Sequence, residues 1–101
     1  MPAANQVRLG GQLLERGSVR YTPAGIPVIE FRVGHESTQT EADAERRVEC
    51  EMVCVALGTP ALLLKESRPG MALTVSGFLA ARSLKVKSPV LHVTTIEFAE
   101  I

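Results

Sequence analysis

The chain has 101 residues, 46% of them hydrophobic and 22% charged, with a formal net charge of zero; this describes one ordinary globular domain, expected to span 1–101, too small for a core plus an internal cavity site. No apolar run approaches the about 20 residues needed to cross a bilayer, and the N-terminus shows neither a charged n-region nor an apolar h-region. The expectation is a cytoplasmic protein with no membrane partner.

Zero net charge hides a segregation. Residues 1–37 carry four basic and three acidic side chains, 38–66 three and six, and 67–101 four and two. A polyanion can therefore still find a positive field at the C-terminal end.

Asn5 to Glu15 reads as a first strand, with Val7 and Leu9 on one face and Gly10-Gly11 in its middle. Paired glycines inside a strand predict a sharp bend or close backbone approach, as in a small barrel whose first strand serves both sheets. Arg16 to Arg20 is a polar connection. A turn around Pro23 and Gly25 then feeds a strand with Ile29, Phe31 and Val33 inward, and Pro27 is tolerable at its beginning. His35 to Arg47 lacks periodicity and holds Glu36, Glu41, Asp43 and Glu45, which predicts a long, mobile, solvated loop. Val48 to Leu57 alternates again, with Val48, Cys50, Met52 and Cys54 on one side and Glu49 and Glu51 on the other.

Cys50 and Cys54 would lie about 13 Å apart along a straight strand, beyond the about 7 Å that a disulfide spans between Cα atoms. They read as buried, reduced thiols. His35 and His92 fall on other strands, so no metal set is expected, and no cofactor. Gly58-Thr-Pro opens a short helix, with Thr59 as N-cap and Pro60 at the first helical position.

After the Pro69-Gly70 turn comes a hairpin. Its first arm, from Met71, places Leu73, Val75 and Leu79 on one face. Its second arm, Pro89 to Phe98, slips phase between Val93 and Ile96, which predicts a bulge or a change of burial. Between the arms lies Arg82-Ser-Leu-Lys-Val-Lys-Ser, and no acidic residue occurs from Ser67 to Ile96. Three strands, a short helix and two more strands are the pattern of the OB-fold, a five-stranded Greek-key barrel that binds oligonucleotides. The predicted class is all-β.

Several pieces then line up in order: Thr22-Pro-Ala-Gly-Ile-Pro27 with Phe31, His35-Glu-Ser37, Cys50-Glu-Met52, Gly77-Phe78, and Val90-Leu-His92 with Ile96-Glu97. Together they resemble the bacterial primosomal replication protein N (PriB) family, itself related to bacterial single-stranded-DNA-binding proteins. The resemblance implies a homodimeric OB-fold that helps restart stalled replication forks. It also implies binding of single-stranded DNA and contact with the restart helicase (PriA) and other primosome proteins. The family's basic residue before the turn corresponds to Arg20, and its basic loop between the last two strands to Arg82, Lys85 and Lys87. Two positions depart: Glu36 stands where some members are basic, and Glu49 where some carry an aromatic.

Binding single strands without sequence preference needs a positive groove for the backbone and aromatic rings for the bases. The candidate DNA-binding residues are Arg82, Lys85 and Lys87 on the hairpin loop, with Arg20, Tyr21, Arg46 and Arg47. Phe31 and Phe98 sit in apolar alternation and read as core; Phe78 fits either core or stacking; Tyr21, in a turn, should be exposed. No Ser–His–Asp set, glycine-rich phosphate cradle or paired carboxylates stand out, so an enzyme is not expected. Two alternatives remain beside the restart reading: a pure protein adapter with little DNA affinity, and a general single-stranded-DNA-binding protein.

Overall fold

Alternating strands with one apolar face must bury that face, and here they do so by closing on one another. In the computed structural model, which describes residues 3–99, the elements are β1 (Val7–Arg16), β2 (Arg20–Tyr21), β3 (Pro27–Glu41), β4 (Ala44–Leu57), α1 (Thr59–Leu64), β5 (Ala72–Ala81) and β6 (Pro89–Phe98). The sheet order is β1-β5-β6-β4-β3-β2, and an additional β1–β3 pairing closes the ring of five. The two-residue β2 is an added edge piece, pairing Arg20 with Val28 and Tyr21 with Pro27. The barrel is the expected OB-fold.

The inward set is Leu13, Ile29, Phe31, Val33, Cys54, Ala56, Leu73, Val75, Leu91 and Val93, joined at the barrel end by Ala61 and Leu64 of α1. Burying each large aliphatic among them contributes about 1.5–3 kcal/mol. The phases expected for β3 and β5 are those observed.

Closure depends on β1 changing partners. Val7 to Gln12 pair with β5, Gln12 to Arg16 pair with β3, and the register shifts between Leu13 and Glu15. At the crossover a Cβ on Gly11 would collide with the Gly34 carbonyl, so the expected close approach is real and only glycine fits it. The bulge expected in β6 is also present. Ser76 pairs with Thr95 and Gly77 with Val93, leaving Thr94 extra, and its hydroxyl donates to the Ser76 carbonyl at 3.2 Å.

Three expectations are corrected. His35 to Arg47 is not a loop. β3 and β4 pair without a slip from Val28↔Leu57 to Glu41↔Ala44, as a long ribbon projecting from the barrel. Ala42 and Asp43 both take positive φ (51° and 64°), the two-residue type I′ geometry that suits strand twist. Both faces of the ribbon are solvated, so no apolar alternation marked it. Cys50 is exposed rather than buried, because β4 is still in the ribbon there and has not yet entered the barrel; Cys54, within it, is buried. Burial alone pushes the Cys54 thiol pKa up to about 12. Finally, the N-cap of α1 is Gly58 (φ 77°, ψ −136°) with no side-chain cap, and Thr59 is already helical. The turn out of β4 needs the left-handed backbone that glycine supplies, and the Gly58 N–H donates to the Pro27 carbonyl at 2.9 Å.

Candidate nucleic-acid interface

Two charged surfaces lie on the outside of the barrel, one basic and one of mixed charge. The first is the β5–β6 loop. Its tip is shaped by backbone: Arg82 N–H donates to the Ser88 carbonyl (3.1 Å), Ser83 N–H to the Val86 carbonyl (3.1 Å), and Val86 N–H to the Ser83 hydroxyl (2.9 Å). The charged ends of Arg82, Lys85 and Lys87 take no part in this. All three residues are exposed, and none makes an ion pair among the described residues. Leu84 between them is 92% exposed. The loop therefore presents three uncompensated cations on a locally ordered frame.

The second surface is the outer face of β1, β3 and β4, where charges are interleaved. Arg32 bonds Glu15 (Nε to Oε1 2.9 Å) and Glu51 (3.1 Å). Its hydrogen bond to Glu15, and then that carboxylate's charge, raise its pKa further. Arg20 lies 3.4 Å from Glu30. Arg47 lies 3.0 Å from Glu49 and 3.6 Å from Glu36, and Arg46 lies 2.8 Å from Glu41. Glu36 and Glu49 are direct cross-strand neighbours, a like-charge pairing that is unfavourable by itself and that Arg47 offsets. These exposed pairs are weak stabilisers, but they partly neutralise Arg20, Arg46 and Arg47.

The sequence candidates thus separate. Arg82 shares a groove with Arg32, Glu30, Glu15 and Val53 at the side of the barrel. Arg46 and Arg47 line a different groove on the ribbon. Tyr21 is exposed, as expected, on β2 beside Arg20. Phe31 is buried and Phe98 packs against the core. Phe78 is 41% exposed and stacks on His92, with ring centroids 5.2 Å apart and planes 8° from parallel; the sequence left it open between core and stacking, outside the named DNA-binding set. Gly77-Phe78 followed by basic loop residues was the available signal, obscured because Phe78 sits between Val75 and Leu79 in an apolar stretch.

His35 has a structural role. Its Nδ1 lies 2.6 Å from the Gly10 carbonyl, which can only accept, so Nδ1 donates. Its Nε2 meets the Ser37 hydroxyl at 2.8 Å, and Gln39 donates to that hydroxyl at 2.9 Å. The described residues contain no group of three or more His, Cys, Asp or Glu placed to hold a metal, and no described helix is long and apolar enough to cross a membrane.

Comparison with known proteins places this barrel. A family profile described as "Another single-strand binding protein family" matches residues 5–95. The replication restart protein PriB of Bordetella pertussis is 48% identical over 86 residues, covering 82% of this chain and 80% of the relative. The chain belongs to the PriB family. In the family's Ralstonia solanacearum structure the likeness extends to the whole fold, with a TM-score of 0.85 at 33% identity, covering 97% of this chain and all of the other. A deletion mutant of the single-stranded DNA binding protein from Thermus aquaticus superposes with a TM-score of 0.80 at 26% identity, covering 96% of this chain and 51% of that one.

Proposed function

We propose that the chain binds single-stranded DNA during replication restart, as a cytoplasmic homodimer that links DNA to the restart helicase PriA and other primosome proteins. The observation that carries this reading is the β5–β6 loop, whose Arg82, Lys85 and Lys87 make no ion pair among the described residues. Free cations on a fixed frame can neutralise phosphates and release their counterions. Family membership supplies the biological setting, and nothing in the site calls for a catalytic step. Dimer formation draws support from strand edges that the barrel leaves open, such as His35–Glu41 of β3, which β1 does not cover.

The interleaved acids on β1, β3 and β4 favour a second reading, a protein adapter with little DNA affinity, because they repel phosphate. One titration separates the two. Labelled poly-dT added to the protein at two salt concentrations should bind, more tightly at low salt, and light scattering should give twice the chain mass. Absence of binding at low salt would leave the adapter. A monomer mass at tens of micromolar protein would remove the dimer.

A further inference from the structure

We propose that Phe78, backed by His92, is a platform on which one base of a bound single strand stacks. The proposal rests on the DNA-binding reading and adds an aromatic ring on the β5–β6 hairpin that carries the basic loop.

The placement is specific. Phe78 and Ala80 lie on the face of β5 opposite to Val75 in the core, and Arg82 follows directly after the strand ends at Ala81. Across the sheet, Phe78 pairs with His92 and His92 with Val55 of β4. Val53, next outward on β4, borders the groove that Arg82 enters. A continuous outer surface therefore runs from Phe78 and His92 over Val55 and Val53 to the basic loop.

The ring is also held. One side leans on the His92 imidazole in a near-parallel stack, while 41% of the residue stays exposed. The adjoining backbone is fixed from both edges: β6 pairs on one side, and on the other the Asn5 carboxamide does a strand's work. Its Nδ2 donates to the Leu79 carbonyl at 2.8 Å, and its Oδ1 accepts from the Leu79 N–H at 2.9 Å. Open aromatic area on a fixed frame is what a base needs, since stacking loses little entropy when the ring is already ordered. Charge complementarity selects the occupant. The segment from Ser67 to Ile96 holds no acid, and the two acids that border the groove at Arg82, Glu15 and Glu30, are paired with Arg32 and Arg20, so an anionic strand can lay phosphates on the loop and a base on Phe78 together.

The test compares wild type, Phe78→Ala, Phe78→Leu and Phe78→Trp on oligo-dT and on an abasic strand of the same length, with thermal melts. Stacking of one base should make Phe78→Ala and Phe78→Leu about 5- to 150-fold weaker on oligo-dT, with the salt slope unchanged and no difference from wild type on the abasic strand. Phe78→Leu keeps the apolar packing should Phe78→Ala fail to fold. The chain has no tryptophan, so Phe78→Trp reports directly, and its fluorescence should be quenched by oligo-dT but not by the abasic strand. Equal binding by wild type and Phe78→Leu, or no quenching of a bound Phe78→Trp, would overturn the platform while leaving DNA binding in place. A wild type that binds no oligonucleotide would overturn both.

Discussion

Replacing Arg82, Lys85 and Lys87 together by Ala should strip the loop of its field without disturbing its shape. The bonds that form the tip run between Arg82 and Ser88 and between Ser83 and Val86, all through backbone or the Ser83 hydroxyl. Surface substitutions of this kind usually change stability by less than about 0.5 kcal/mol each. If each cation meets one phosphate, the loop accounts for a slope of about −2 in log affinity against log salt, at about −0.7 per contact on single strands. Between 50 and 200 mM salt that slope alone corresponds to about a 20-fold loss of affinity. The triple variant should therefore bind poly-dT far more weakly at low salt, and its slope should flatten by about 2. Labelled poly-dT titrated at four or five salt concentrations, with melts as control, measures both. A slope identical to wild type would move the phosphate contacts elsewhere, toward Arg20, Arg46 and Arg47, and leave this loop to a protein partner.

Other outcomes follow from single residues. Glu49→Trp removes the repulsion between Glu49 and Glu36 and adds an exposed ring; poly-dT should bind more tightly at low salt, and unchanged affinity would show that the ribbon does not face the strand. Cys50 should react with a thiol reagent in the native state at the rate of an exposed thiol and Cys54 only on unfolding, so two fast thiols would contradict the burial of Cys54. The folded state disfavours the Cys54 thiolate, so its contribution to stability is intact below the ordinary thiol pKa near 9 and is lost as pH rises toward about 12, approaching about 1.4 kcal/mol per pH unit. Urea melts of wild type and Cys54→Ala should converge across that window, and parallel curves would refute it. Gly11→Ala forces a Cβ into the Gly34 carbonyl and should destabilise the barrel by more than about 3 kcal/mol, seen as a large fall in melting temperature.

The barrel was legible because its strands each bury one face. Ile29, Phe31 and Val33, and Leu73 and Val75, alternate strictly, and the Gly10-Gly11 pair marked the change of partner in β1. The ribbon was illegible for the complementary reason. Between Glu36 and Glu49 neither face meets a core, so the strand signal lay only in the backbone ladder and in Thr38 and Thr40. The same blindness placed Cys50 inside, since the alternation that buries Cys54 already runs through the sequence before β4 enters the barrel. The basic loop was visible as charge without acid. Its separation from Arg46 and Arg47 was not, because Glu41 and Glu36 reach those arginines only through the pairing of β3 with β4. Phe78 was left undecided between core and stacking by its apolar neighbours, and its stack on His92 depends on a register that sequence does not display.

The exchange of partners along β1 has a consequence during synthesis. Gln12 to Arg16 find their mates at 31–34, a short way downstream, but Val7 to Gln12 must wait for 72–77. At about 5–20 residues per second the ribosome needs roughly 4–15 s to deliver that second seam. Until then Leu13, Ile29 and Val33 would sit in an open sheet whose missing wall is still unmade. Nascent chains arrested before residue 70 should thus stay protease-sensitive, with protection arriving in one step once β5 and β6 emerge.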